Sequence, residues 1–152
     1  MTDNRYKTSA SCVYSLKYHL VWCPKYRRKV LVGRIEARLR ELLYEKANDI
    51  GVQIEALEIT PVLPCTSTQG RCAAGASVPD HVHLFVSADP TEAPQRLANQ
   101  FKGYTFRVLR QEFSSLKSRL PTLWSRSYYV GIVGHVSEDS VKKYIANQKT
   151  RA

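Results

Sequence analysis

Acidic side chains are scarce: 13 Asp and Glu stand against 23 Lys and Arg, a formal charge of +10 on 152 residues. Such a balance favours polyanionic partners, nucleic acid first, with an acidic membrane surface or an acidic protein as the alternatives. Long apolar runs are missing too. No 18 consecutive apolar residues occur, so no membrane-spanning helix is expected. Residues 1–11 are polar and lack the apolar stretch of a secretory leader, so a cytoplasmic protein is expected. The few cysteines, Cys12, Cys23, Cys65 and Cys72, have 10, 41 and 6 residues between them. These spacings fit no common zinc pattern and read as free thiols. There is no Gly-rich phosphate loop and no HExxH. Spacing argues for no Ser-His-Asp or Cys-His set.

What is present is an ordinary globular composition, 43% hydrophobic and 24% charged. It predicts a flexible N-terminus over 1–11 and one domain over 12–152. The basic residues are spread through the patterned segments, which argues against a disordered basic arm. Residues 13–22, VYSLKYHLVW, alternate as a strand, with Tyr14, Leu16, Tyr18, Leu20 and Trp22 on one face. A helix is predicted over 34–48 from Ile35, Leu39, Leu42 and Leu43, with Gly51 just past its end. Strands follow over 52–59, which alternates only in part, and over 81–88. Between them, 60–79 carries three prolines and two glycines without periodicity, a long loop for a compact domain. A helix over 92–113, a strand over 127–135 and a helix over 138–149 complete the order. The first six elements match the ferredoxin-like split βαβ plan: an α+β domain with a four-stranded antiparallel sheet and helices on one face. The other face is then open unless the last helix or a second subunit covers it.

Two spacings suggest chemistry. In a strand His81 and His83 point the same way, roughly 6.6 Å apart along the chain, and can converge on one divalent metal while Val82 faces the core. Asp80 beside them can orient a histidine or tune the site. The bland reading is two polar residues on an open sheet face. Tyr144 and Gln148, one helical turn apart, share a face beside the packing stripe of Val141 and Ile145. Pattern alone makes Tyr144 a half-buried packing residue and Gln148 a surface residue. The segment Lys25, Tyr26, Arg27, Arg28 and Lys29 is basic and aromatic. It suits a phosphate backbone and a stacked base, or else is a solvated loop. Lys102 and Arg107 flank the apolar stripe of the 92–113 helix and are further candidates for holding nucleic acid. One of Tyr128 and Tyr129 should be core. His19 and His135 read as incidental polar positions.

Taken together, YHLVWCPKYRRKVL at 18–31, PDHVHLFV at 79–86, LWSRSYYVGIVGHVS at 123–137 and VKKYIANQ at 141–148 resemble the small single-tyrosine HUH transposases of bacterial and archaeal insertion sequences, the TnpA type, REP-associated relatives included. The resemblance spans about 12–149, apart from 60–78. It implies a divalent metal, Mg²⁺ or Mn²⁺, held by His81, His83 and Gln148. It implies Tyr144 as nucleophile, a 5′-phosphotyrosine intermediate, a homodimer, and single-stranded DNA with hairpin ends as substrate. It also implies that the final helix, which carries the tyrosine, can serve its own subunit or the partner's. The expected enzyme is a metal-dependent DNA strand transferase and endonuclease.

The sequence departs from that family in one place. Relatives pass from the second strand to the PDHVH motif through a short turn; here 19 residues intervene. They can form a surface loop that leaves the sheet intact, since closure entropy grows slowly with length. They can instead be an insertion that impairs the site, or an oddity of translation. A nucleic-acid-binding remnant without catalysis, a related HUH nickase acting on repeats, and a dimeric structural protein with a tolerated HxH remain as other readings.

Overall fold

A computed structural model describes residues 6–60, 80–133 and 138–148. Strand β1 (Lys7–Thr8) pairs antiparallel with β2 (Val13–Tyr14), so part of the 1–11 segment expected to be flexible lies in a small ribbon. The strand predicted over 13–22 is thus two: β2 ends at Tyr14, and β3 (Lys17–Trp22) begins after Ser15 and Leu16. In β3 the predicted alternation holds. Tyr18, Leu20 and Trp22 are buried, while Lys17, His19 and Val21 face the other way.

Helix α1 (Arg34–Ile50) ends where its glycine requires. Gly51 takes φ +72°, a left-handed value that costs other residues, and the Val52 N–H closes back on the Ala47 carbonyl. Next comes β4 (Gln53–Thr60), and the partial alternation of its sequence has a structural cause. The register against β5 (His81–Ser87) shifts between Ile54 and Ala56, so Glu55 is a bulge residue. Ile54, Leu57 and Ile59 reach the main core despite their uneven spacing. Residues 61–79, the body of the predicted long loop with Cys65 and Cys72, lie outside the described residues. Of the other cysteines, Cys12 and Cys23 are free thiols.

Helix α2 (Pro94–Glu112) breaks at Phe113, and a short helix not expected from periodicity, α3 (Ser114–Arg119), follows with Leu116 buried. Strand β6 (Tyr129–Val133) and helix α4 (Glu138–Asn147) complete the chain; residues 134–137, His135 among them, are outside the description. The sheet order is β4-β5-β3-β6, with every pairing antiparallel. This is the α+β ferredoxin-like arrangement, with β3 and β5 central.

One face of the sheet packs on α1 and α2. Leu20, Trp22, Val82, Leu84 and Val86 meet Leu39, Leu42, Leu43, Leu97, Phe101 and Leu109 in one core. Thr105 sits inside it; its hydroxyl donates to the Phe101 carbonyl and accepts the Trp124 indole N–H at 3.0 Å, so neither polar group is left unpaired. The opposite face carries a much smaller cluster, Phe85, Val133 and Ile145, with Ala56 and Val141 against it. The face left open by the sequence reading is therefore covered by α4 of the same chain.

Candidate active site

Strand β5 presents His81, His83 and Phe85 on the α4 side and sends Val82, Leu84 and Val86 into the main core. Phe85 anchors α4 through Ile145, and that packing brings Tyr144 over the histidines. The Tyr144 ring centroid is 6.0 Å from that of His83, edge-on, and the His81 and His83 rings are 4.6 Å apart. On α4 the packing position is Ile145, 2% exposed, whereas Tyr144 is 53% exposed. Ile145 packs as its stripe predicted, whereas Tyr144 is not the half-buried packing residue that pattern alone favoured.

His19, read from sequence as incidental, is at the centre of the site. Its Nε2 lies 3.1 Å from Nδ1 of His83, and the two rings are nearly coplanar, with centroids 5.3 Å and planes 18° apart. Both are one face of the sheet: His19 pairs with Phe85, so His83 is its diagonal neighbour. His19, His83, Tyr129 and Tyr144, with Val21, Val141 and Ser140, wall a cleft of about 530 Å³. His81 and Gln148 are not part of that wall. Gln148 is half-buried one turn beyond Tyr144, and its N–H closes α4 on the Ile145 carbonyl.

The His83 and His19 imidazoles are held neutral. Burial, then the neighbouring His81 and His19, push the His83 pKa down to about 3; burial also lowers that of His19. A neutral imidazole keeps the lone pair that a cation takes. His83 Nε2 is buried with no hydrogen-bond partner among the described residues, which fits a metal ligand better than a structural histidine. Among the described residues no three His, Cys, Asp or Glu side chains group to hold a metal; the predicted set has Gln148 as its third donor.

Asp80 is fully buried, and its carboxylate accepts the N–H groups of Val30 and Leu31, both at 2.7 Å. It pins the end of the basic segment to the residue before His81. Such a staple joins a surface loop to the strand that carries the histidines.

The sequence-family model of IS200-like transposases matches residues 12–61 and 65–148. The chain belongs to that family. This IS200-like transposase is 32% identical over 144 residues to the ISDra2 transposase TnpA of Deinococcus radiodurans, covering 93% of this chain and 90% of the relative. It is 26% identical over 144 residues to the IS200 transposase of Salmonella typhimurium, covering 93% and 82%. The solved structure of a candidate transposase from D. radiodurans superposes with a TM-score of 0.68 at 31% identity, over 93% of this chain and 97% of that one. A REP-associated tyrosine transposase bound to a REP hairpin shares the fold, with a TM-score of 0.60 at 11% identity over 95% and 73%.

The transposase carries its basic segment as a strained turn. Pro24 bridges Trp124, and Lys25–Arg27 form a single 3-10 turn in which Tyr26 and Arg27 take φ of 60° and 51°. Non-glycine residues rarely hold such values, and two in succession point to a turn fixed for use. Tyr26 is 66% exposed with the Lys25 ammonium 5.1 Å from its ring; Arg27, Arg28 and Lys29 are exposed beside it. Lys102 is placed differently from the sequence expectation. Its ammonium donates to the carbonyls of Ser125, Arg126 and Ser127, so it supports the segment leading into β6. Arg107 is exposed on α2. Of the tyrosine pair, Tyr128 packs on the core and Tyr129 is 60% exposed beside His19. Among the described residues no helix is long and apolar enough to cross a membrane.

Proposed function

We propose that the chain cleaves and rejoins single-stranded DNA at hairpin-marked element ends, with Tyr144 as nucleophile and His81, His83 and Gln148 as ligands of a divalent cation. The observation that carries this reading is the half-exposed Tyr144 phenol set edge-on to the buried, neutral His83 across an open cleft. A packing tyrosine would be inside the Phe85 cluster; this one faces space that a DNA strand can enter. The REP-associated relative, bound to a REP hairpin, supports hairpin ends as the substrate class.

In the step proposed, the Tyr144 oxygen attacks the scissile phosphorus and the bond to the 3′ oxygen breaks. The phenol gives up its proton and the 3′ oxygen gains one. The products are a 5′-phosphotyrosine and a free 3′-OH. Reversal by another 3′-OH rejoins DNA and returns the proton to Tyr144, so no external energy source is needed. Mg²⁺ or Mn²⁺ on neutral ligands would offer its full charge to the phosphate oxygens and orient them for in-line attack. The two imidazoles favour Mn²⁺ of the pair. Lys25, Arg27, Arg28 and Lys29 would hold the backbone and Tyr26 would stack on an unpaired base. The working form is a cytoplasmic homodimer.

The test is a labelled single-stranded oligonucleotide carrying the element's own end, incubated with the protein and Mn²⁺. A covalent adduct that survives SDS is expected, lost in Tyr144→Phe and in EDTA. Tight binding of the same DNA by the folded protein without an adduct would overturn the catalytic reading in favour of a binding remnant.

A further inference from the structure

We infer that His19 is the positioning residue for His83: it accepts the His83 Nδ1–H and so turns the Nε2 lone pair toward the cation. The inference rests on the metal reading above. The contact at 3.1 Å joins Nε2 of one neutral ring to Nδ1 of the other, so one ring donates and the other accepts. If His19 donated, the His83 proton would have to sit on Nε2. That nitrogen is buried with no partner among the described residues, so an N–H there would be desolvated for nothing and no lone pair would remain. If His83 donates, Nδ1 is satisfied and Nε2 offers a lone pair. The second arrangement alone meets both requirements, and it is the one by which an outer partner fixes the tautomer of a metal-binding histidine.

The placement suits an orienting group. His19 is in a central strand, with Phe85 opposite on one side and Gly131 on the other, so its backbone is locked by ladders on both edges. Gly131 leaves room on β6, and the Tyr129 ring lies over it: a Cβ at 131 would meet the Tyr129 hydroxyl at 2.9 Å. Tyr129 then closes edge-on to His19 at 6.1 Å, and the His19 ring lies nearly coplanar with His83, as an in-plane N–H···N bond requires.

Two measurements test this on the full chain. Long-range ¹H–¹⁵N correlation of the histidine rings in metal-free wild-type protein should show His83 protonated at Nδ1 and unprotonated at Nε2; the opposite tautomer overturns the inference. Mn²⁺ titration by calorimetry should then give loss of binding in His83→Ala, an affinity about 10–100-fold lower in His19→Phe, and recovery in His19→Gln, whose carboxamide oxygen can still accept. If His83→Ala binds Mn²⁺ as well as wild type, the metal reading itself fails. If His83→Ala loses the ion while His19→Phe keeps wild-type affinity, the role of His19 alone fails. The tautomer measurement needs no variant to fold.

Discussion

Asp80 shows how one side chain can join two functional regions. Its buried carboxylate takes two backbone N–H groups from Val30 and Leu31, and the next residue is His81. Removing it strands two donors, each worth about 1–3 kcal/mol when left buried and unpaired. Asp80→Ala should therefore lower the melting temperature sharply, whereas Asp80→Asn, which keeps an acceptor oxygen, should lose less; thermal melts followed by circular dichroism check both. The sequence reading offered Asp80 as a group to orient a histidine, because adjacency in the chain was all it could use. The partners it has in the fold come from 49 and 50 residues away. His19 was missed for the same reason. Alternation put it on the polar face of β3 and put His83 on the same side of β5, but only the register brings the two rings together.

At the scale of elements, α4 is the least anchored part of the site. It is held by Ile145 and Val141 against Phe85 and Val133, and by an ion pair of Lys142 with Glu55 at 3.6 Å. Glu55 also meets Lys17 at 3.8 Å, and the bulge in β4 is what places it there. Such partly exposed pairs contribute at most about 1 kcal/mol each, so the apolar contact dominates. Ile145→Ala should lower the opening free energy of α4 by about 2 kcal/mol or more. Hydrogen exchange should show faster exchange confined to residues 139–147, with α1 and α2 unchanged, and adduct yield should fall with it. Uniformly faster exchange would mean that α4 is part of the main cooperative unit. Helix periodicity in 138–149 was legible beforehand, and the resemblance tied its tyrosine to the histidines; the packing that holds the helix there was not. Periodicity locates an apolar stripe and says nothing of which sheet receives it.

For the whole molecule, the sheet ends on one side at β6, whose exposed Tyr129 and Ile132, the latter 74% exposed, leave an apolar edge. Such an edge invites pairing with a second copy. Light scattering on the wild type should give a dimer, and Ile132→Lys should shift it toward monomer. The net charge of +10 makes DNA affinity salt-dependent as a property of the molecule rather than of one contact. Alanine at Arg27 and at Lys29 should each weaken single-stranded DNA binding for every sequence tried. Each should flatten the slope of log K against log salt by about 0.7. Filter binding across a salt series reads both effects.

The residue order by itself determined the three longer helices and most strands, because apolar periods of two and near four are local properties of the chain. It also determined the family, since four motifs keep their order along the chain. The split of β2 from β3, the bulge at Glu55 and the short α3 were decided by pairing and packing. So was the exposure of Tyr144. Periodicity put Ile145 on the packing stripe and Tyr144 beside it; the Phe85 cluster received Ile145 and left the phenol in the cleft. The meeting of His19 with His83 needs two strands in register, and register is a long-range fact. The physical reason is one of range: local spacing fixes which face a side chain takes, while only the assembled sheet fixes what it faces.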